Sequence, residues 1–108
     1  MKLIAGERFR LHDDNTYIKL VSGKLEAYAV TRKKQSFRQI FLTELAPGQA
    51  AFPSMDEFEQ IDVQVYAVED SEFAEISRAE TSVEELLPLM RQWFAALASL
   101  PWLRLLAD

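Results

Sequence analysis

The sequence predicts a mainly β domain, a jelly-roll barrel (double-stranded β-helix) with a C-terminal α-helical segment. Three observations support this fold class. Short runs of alternating apolar residues fill the first three quarters of the chain, turn residues separate them, and the apolar spacing becomes helical after residue 80. We therefore assign residues 1–80 to the jelly roll and residues 81–108 to a helical segment packed on it, as one domain overall.

The alternation predicts a series of short strands joined by turns. The predicted strands are residues 3–11, 16–21, 24–31, 37–45, 50–52, 61–69 and 72–77. Residues 22–23 are predicted to form a tight turn, and residues 46–49 carry Pro and Gly where a type II turn favours them. Residues 32–36 are expected to form a polar hairpin loop, and residues 53–60 an acidic loop.

The C-terminal segment carries the signals of a helix. Thr81 and Glu84 have the spacing of a capping box, which predicts that the helix is capped by Thr81. Apolar residues then recur at helical spacing: Leu86, Met90, Trp93 or Phe94, and Leu97. Pro88 must lie in the first turns or kink the helix, and residues 102–106 are predicted to form a second short helix. We expect the aromatic side chains of this segment to pack on the barrel: Trp93, Phe94 and Trp102.

Length, composition and charge exclude several classes of protein. The chain has 108 residues and no cysteine, which excludes a disulfide scaffold, a thiol nucleophile and a cysteine-ligated zinc site. Its formal net charge is -5 at pH 7, and an acidic surface disfavours nucleic acid and anionic lipid. The first residues do not resemble a signal peptide, and no apolar run is long enough to span a membrane. We expect a cytoplasmic protein that does not bind nucleic acid.

The sequence lacks the residue sets that catalysis and metal binding need. His12 is the only histidine, and one histidine without cysteine cannot supply the ligands of a cupin-type metal site. Neither a G-x-S-x-G nucleophile motif nor a Gly-rich phosphate-binding loop is present. The carboxylates in and beside the acidic loop are expected to be solvated: Asp56, Glu57, Glu59 and Asp62. We therefore predict a chain that is not an enzyme, with no catalytic residue, metal or cofactor.

One basic cluster lies at the predicted hairpin loop. Its members are Arg32, Lys33, Lys34 and Arg38. An exposed basic tip can attract an acidic segment of a partner, so these residues are the candidate partner contacts. The alternative is a solvated hairpin tip without a partner, and the sequence is compatible with both interpretations.

Several segments resemble cyclic-nucleotide-binding domains. Residues 17–28 (YIKLVSGKLEAY) resemble the hairpin of that family in which an apolar strand turns at a glycine. Residues 45–52 (LAPGQAAF) resemble its L-x-x-G-x-x-F step, and residues 61–76 its closing hairpin. The resemblance implies a jelly roll followed by a C-terminal helix.

The resemblance does not extend to the nucleotide-binding segment. In members that bind cyclic nucleotides, a glycine–glutamate pair and an arginine after this step hold the ribose and the phosphate. Residues 53–60 (PSMDEFEQ) contain no glycine and no arginine, and they carry three carboxylates. Because these charges would repel a phosphate, we expect the fold without the ligand.

A second set of landmarks occurs in a fixed order: residues 6–9 (GERF), 21–30 (VSGKLEAYAV), 45–52 and 86–93 (LLPLMRQW). This order resembles the N-terminal domain of permease/ATPase subunits of bacterial ABC exporters for bacteriocin-like products with nitrile-hydratase-type leader peptides (NHLP exporters). The resemblance implies an accessory or docking domain that contacts the leader peptide or other domains or subunits of the exporter. Transport and ATP hydrolysis would belong to the parent, through which a homodimer could form.

Two other functions are compatible with the sequence. A small-molecule sensor related to cyclic-nucleotide-binding domains would use an apolar cavity in the barrel mouth, between the acidic loop and Tyr28 or Tyr66. A cupin-type enzyme would need metal ligands that the chain does not contain.

Overall fold

Two four-stranded antiparallel sheets form the barrel in the computed structural model, which describes residues 1–33, 36–53 and 61–98. The strands are β1 (Lys2–Leu3), β2 (Arg8–Leu11), β3 (Thr16–Ser22), β4 (Leu25–Lys33), β5 (Ser36–Leu45), β6 (Ala50–Ala51), β7 (Ile61–Ala67) and β8 (Ser71–Ser77). The first sheet has the order β1-β8-β3-β6, and the second has the order β2-β7-β4-β5. Strands that alternate between two sheets in this way form a jelly roll, so the predicted fold class is confirmed.

The core lies between the inner faces of the two sheets. On β4, Leu25, Ala27 and Ala29 are buried, and Val63 and Val65 are buried on β7, as the alternation of apolar residues predicts. Larger side chains of the first sheet fill the space opposite them: Ile18, Leu20 and Phe73. The described part of the barrel interior is therefore packed with apolar side chains.

The N-terminal run differs from the prediction of one strand over residues 3–11. A turn after Leu3 divides it into β1 and β2, which belong to different sheets. Glu7 closes the turn, because its amide donates to the Ile4 carbonyl at 2.9 Å and its carboxylate accepts from the Ile4 amide at 2.7 Å. Leu3 and Leu11 are both buried and both odd-numbered, so the alternation continues across the turn and does not reveal it.

The first and last strands of the barrel lie side by side. Lys2 of β1 is opposite Glu72 of β8, and Leu3 is opposite Ser71. The amino group of Met1 donates to the Phe73 carbonyl at 2.8 Å, which extends this pairing to the N-terminus. The first sheet therefore includes both ends of the β region.

The hairpin of β4 and β5 is longer than the sequence predicts. Residues 32–36 are expected to form a loop, but Lys33 ends β4, Ser36 begins β5, and the two residues pair. The loop prediction is wrong for residues 32, 33 and 36, because these residues continue the pairing of the two strands. Residues 34–35 lie outside the described residues.

The turn over residues 46–49 is confirmed. The Gln49 amide donates to the Ala46 carbonyl at 3.0 Å, which closes a four-residue turn. Gly48 has a φ of 91°, the left-handed conformation that the third position of a type II turn requires.

The C-terminal helix, α1 (Val83–Ala98), begins one residue later than the predicted capping box implies. Ser82 is the capping residue, because its side-chain oxygen accepts from the Glu85 amide at 3.3 Å. Thr81 instead donates to the Ser77 carbonyl at 2.8 Å, after an unpredicted 3-10 turn (Arg78–Glu80). Pro88 lies inside α1. Among the described residues, no helix combines the length and the apolar character needed to cross a membrane.

Trp93 anchors α1 to the barrel. It is 4% exposed, and its ring centre lies 6.5 Å from that of Phe52. Its helical neighbours Leu86 and Met90 are partly buried against the same core. Phe94 is 47% exposed, so its predicted packing on the barrel is wrong. Trp102 and the second predicted helix lie outside the described residues.

We expect the substitution Trp93→Ala to lower the free energy of unfolding by about 3–5 kcal/mol, because it opens a cavity between α1 and the barrel. Phe94→Ala, on the exposed side of the same helical turn, is the matched control and should cost less than about 1 kcal/mol. Denaturant unfolding of both variants measures the difference. Equal losses would show that Trp93 does not anchor the helix.

We expect Gly23→Ala to lower the free energy of unfolding by more than about 2 kcal/mol. Gly23 has a φ of 92°, and an added Cβ would meet the Ser71 hydroxyl and lie 2.6 Å from the Asp70 carbonyl oxygen. Gly48→Ala is the control, since its φ is also positive but no atom lies within 4 Å of the added Cβ. Its cost should be about 1 kcal/mol, and a similar cost at both positions would argue against the close contact.

Candidate functional site

The outer face of the second sheet carries aromatic and polar side chains that the core does not use. We call it the aromatic–arginine face, and its members are Arg8, Tyr28, Gln39, Phe41 and Tyr66. The strand register brings them together, because Arg8 is opposite Tyr66 and Tyr28 is opposite Phe41. They alternate with core positions on their strands, so they lie on the side of the sheet that faces away from the barrel interior.

Arg8 is the central residue of this face. Its guanidinium carbon lies 5.7 Å from the ring centre of Tyr66 and 6.0 Å from that of Tyr28, within the range of a cation–π contact. Its Nη1 donates to Oε1 of Gln39 at 2.6 Å. Three neighbours therefore hold the side chain of Arg8, although the residue is exposed.

Tyr28 and Phe41 form the apolar part of the face. Their rings meet edge to face, with centres 5.7 Å apart, and Phe41 is 46% exposed. The Tyr28 hydroxyl donates to Oε1 of Glu26 at 2.9 Å. Burial raises the pKa of this hydroxyl, and the hydrogen bond to Glu26 and its negative charge raise it further. Tyr28 therefore stays neutral beside Arg8 under ordinary conditions.

Two other cations, on β2 and just before β4, are already paired with carboxylates. Nη2 of Arg10 lies 3.0 Å from Oδ1 of Asp62, and Nζ of Lys24 lies 3.5 Å from Oε1 of Glu44. Asp62 is 8% exposed, so the expectation that this carboxylate is solvated is wrong, because β7 places it beside Arg10. Within the described residues, Arg8 has no carboxylate at ion-pair distance.

Charge is unevenly divided between the second sheet and the rest of the chain. The strands of this sheet with the β4–β5 connection (8–11, 25–45 and 61–67) contain six of the 12 Lys and Arg residues and three of the 17 Asp and Glu residues. The remaining residues contain the other six basic and fourteen acidic ones. The second sheet thus has three excess positive charges, whereas the remainder has eight excess negative charges. Such a field directs an acidic partner to this sheet.

The predicted contact residues belong to the hairpin of this same sheet. Arg32 and Lys33 are the last residues of β4, and Arg38 is opposite Thr31 on β5. The structure describes the backbone of these three residues, and Lys34 lies outside the described residues. Their contact with a partner stays a prediction.

His12 is exposed immediately after β2, and its Nδ1 lies 3.1 Å from the Arg10 carbonyl oxygen. Across residues 1–33, 36–53 and 61–98, no group of three or more His, Cys, Asp or Glu residues could hold a metal ion. The other carboxylates of the predicted acidic loop lie outside the described residues: Asp56, Glu57 and Glu59.

A cavity of about 300 Å³ lies between α1 and the first sheet. Its lining comes from both elements and the 3-10 turn: Tyr17, Lys19, Ile76, Glu80, Thr81, Glu85, Pro88 and Leu89. The sequence predicts a sensor cavity in the barrel mouth beside Tyr28 or Tyr66, but both tyrosines lie on the outer face of the other sheet. The acidic loop on the other side of that predicted cavity lies outside the described residues, so its placement stays a prediction.

Solved structures with a similar fold include regulators of the CRP family. The chain matches a CRP-family transcriptional regulator from Thermus thermophilus with a TM-score of 0.61 and 16% identity, over 91% of this chain and 50% of that one. It matches the Thermus thermophilus catabolite activator protein with a TM-score of 0.51 and 24% identity, over 97% of this chain and 48% of that one. The EAL enzyme Bd1971 in its cAMP-bound form gives a TM-score of 0.50 and 17% identity, over 97% of this chain and 30% of that one.

These similarities establish a cyclic-nucleotide-binding-like jelly-roll fold. The chain spans half or less of the length of each of these three proteins. No protein-family model matches the chain, and no curated protein matches it significantly.

Sequence reasoning does not identify the aromatic–arginine face. Its residues come from β2, from β7 and from the β4–β5 hairpin, which are far apart in the chain, so no local motif joins all of them. The available signal is the alternation itself, because Arg8, Tyr28 and Tyr66 occupy the outward positions of predicted strands. Large aromatic side chains at outward positions are the feature that distinguishes a contact surface from a solvated one.

We expect the Tyr28 hydroxyl to ionise at a higher pH than an ordinary tyrosine. The contribution of this hydroxyl to the free energy of unfolding is complete at pH values below the pKa of unfolded tyrosine. It is lost as the pH rises through the raised pKa of the folded state, because the unfolded chain releases this proton more readily. Glu26→Gln should lower the pKa of Tyr28 partway, since burial remains. Ultraviolet titration of the phenolate measures the pKa of Tyr28 in the parent chain and in Glu26→Gln. The variant Tyr28→Phe identifies which part of the signal comes from Tyr28. An unchanged pKa in Glu26→Gln would show that Glu26 has no influence.

Proposed function

We propose that the chain is a non-catalytic docking domain on the cytosolic side of a bacterial bacteriocin or toxin export ABC transporter, as part of its permease/ATPase subunit. One observation carries the proposal: on the outer face of the second sheet, the exposed residues Arg8 and Phe41 lie beside Tyr28 and Tyr66. The strands of this sheet with their β4–β5 hairpin also carry three excess positive charges on an otherwise acidic chain. Interfaces are enriched in tyrosine, phenylalanine and arginine, the residue types that this face presents.

The packing of the barrel supports binding of a partner at its surface and not inside it. The apolar side chains of both sheets meet between them, and the residues at the centre of this core are almost fully buried, including Leu25, Val65 and Phe73. A jelly roll filled in this way offers its faces and loops for binding. The exposed aromatic–arginine face is the described surface that best fits this role.

The exporter context rests on the order of sequence landmarks given above. Two of them, residues 21–30 and 45–52, include turns that position the strands of the barrel. In such an exporter, the partner of this domain would be the leader peptide of the cargo or another domain of the transporter. Transport and ATP hydrolysis would be carried out by the rest of the subunit, through which two copies could associate.

Charge gives the proposed docking its direction. The excess positive charge of the second sheet comes mostly from the β4–β5 hairpin, because Arg32, Lys33, Lys34 and Arg38 are close together in the sequence there. An acidic segment would be steered to this end of the domain, and its association rate would fall as salt is added.

A second candidate function is a small-molecule sensor that does not bind cyclic nucleotides. The cavity of about 300 Å³ between α1 and the first sheet favours it, because this volume is at the lower end of the range for ligand pockets. The mixed lining, with Lys19 facing the same space as Glu80 and Glu85, would suit a small polar ligand.

We expect isothermal titration of the domain with a nitrile-hydratase-type leader peptide to give binding, and titration with cyclic AMP or cyclic GMP to give none. Reversing the charges of Arg32, Lys33 and Lys34 together should weaken peptide binding by about tenfold or more, since several steering charges are lost. Reversal of Lys2, Lys19 and Arg91, which lie outside the second sheet, is the matched control and should have little effect. Tight nucleotide binding without peptide binding would contradict the docking function and favour a second-messenger sensor.

A further inference from the structure

We propose that the aromatic–arginine face is a carboxylate-recognition site, in which Arg8 binds a glutamate or aspartate side chain of an acidic peptide segment lying across the second sheet. This inference rests on the proposed docking function, and it names the chemistry of the partner and the residue that recognises it. The candidate contacts predicted from the sequence lie at the hairpin tip, whereas this site lies on the open face of the sheet.

The guanidinium of Arg8 contacts three neighbours of the sheet without any ligand. The rings of Tyr28 and Tyr66 lie 6.0 and 5.7 Å from its central carbon, and Gln39 accepts a hydrogen bond from Nη1 at 2.6 Å. A long side chain that is already held in place loses less conformational entropy on binding. Arginine has five N–H donors, so the bond to Gln39 leaves most of them for a carboxylate.

The positive charge of Arg8 is the feature that indicates an acidic ligand. Arg10 and Lys24 each have a carboxylate within 3.5 Å, whereas Arg8 contacts two aromatic rings and an amide among the described residues. The pairing of Arg10 with Asp62 shows how this sheet satisfies an arginine when a carboxylate is present. At Arg8 the corresponding carboxylate would come from the partner.

The surroundings of Arg8 select a peptide over other polyanions. Phe41 is 46% exposed on the same face, so an apolar side chain next to the acidic residue would also find a contact. The basic residues of the second sheet are Arg8, Arg10 and those of the β4–β5 hairpin, and the Glu26 carboxylate on this face is already engaged by the Tyr28 hydroxyl. The rest of the chain carries eight excess negative charges. An extended nucleic acid or an anionic membrane would meet this negative charge, whereas a single peptide segment can stay within the face.

The test is titration of the full chain with a glutamate-rich peptide and with its glutamine counterpart, at low and physiological salt. We expect binding of the glutamate peptide alone, weakened by salt. Arg8→Gln should weaken binding by about tenfold or more, because a charge-assisted contact is lost. Arg8→Lys should fall in between, since it keeps the charge without the planar fork. Arg91→Gln removes one positive charge from exposed α1 and should change the affinity less than about twofold.

Gln39→Glu provides a second variant that keeps Arg8 in place. The new carboxylate would stand where the Gln39 amide oxygen already accepts from Arg8, so it would compete with the carboxylate of the peptide. We expect weaker peptide binding from a domain that unfolds at the same or a higher denaturant concentration than the parent. This pattern separates lost recognition from lost folding.

Each result has a defined meaning. Unchanged affinity in both Arg8→Gln and Gln39→Glu would overturn the assignment of the face. If the leader peptide still binds those variants with full affinity, the docking function stands and uses another surface. If neither the glutamate peptide nor the leader peptide binds the parent chain, both proposals fail. Binding to anionic vesicles, or self-association, without binding of the glutamate peptide would assign the face to a membrane or to a second copy and would also overturn this inference.

Discussion

The ring of Phe52 is the contact on which the layers of this domain depend. It is 2% exposed, stacks on Tyr17 of β3 with ring centres 5.1 Å apart, and meets Trp93 of α1 at 6.5 Å. The guanidinium carbon of Arg78 lies 5.4 Å from the same ring, so the 3-10 turn joins this contact too. Barrel, turn and helix share one apolar centre, and burial of these large rings supplies much of the free energy that holds α1 in place.

The barrel could be predicted from the sequence because alternation and turns are local signals. The outward and inward positions of β4 and β7 follow from Leu25, Val63 and their neighbours, and the turn at Gly48 follows from its own residue types. The division of the N-terminal run could not be predicted, because the change of sheet is set by pairing with β7 and β8, far along the chain. The sequence could not identify Ser82 as the capping residue in place of Thr81, since both side chains can cap a helix.

The candidate site was harder to predict than the fold for the same physical reason. Each strand shows which of its residues face outward, but the register between strands decides which outward residues meet. Tyr66 lies next to Arg8 only because β2 pairs with β7, and Asp62 becomes buried beside Arg10 through the same pairing. The Asp62 carboxylate, predicted to be solvated, is therefore the buried member of an ion pair. Arg8, which belongs to no local motif, is the centre of the proposed site.

The pairing of β1 with β8 also determines when this domain can fold. Its first strand begins at Lys2, yet the partner strand ends at Ser77, so the first sheet stays incomplete on the ribosome until nearly the whole β region has emerged. Ladders between distant segments must also offset the entropy of closing long loops, which slows folding relative to local hairpins. We expect the local hairpin of β4 and β5 to form early and the N-terminal strand to join among the last, which makes the newly made chain dependent on protection of its exposed strand edges until β8 has emerged.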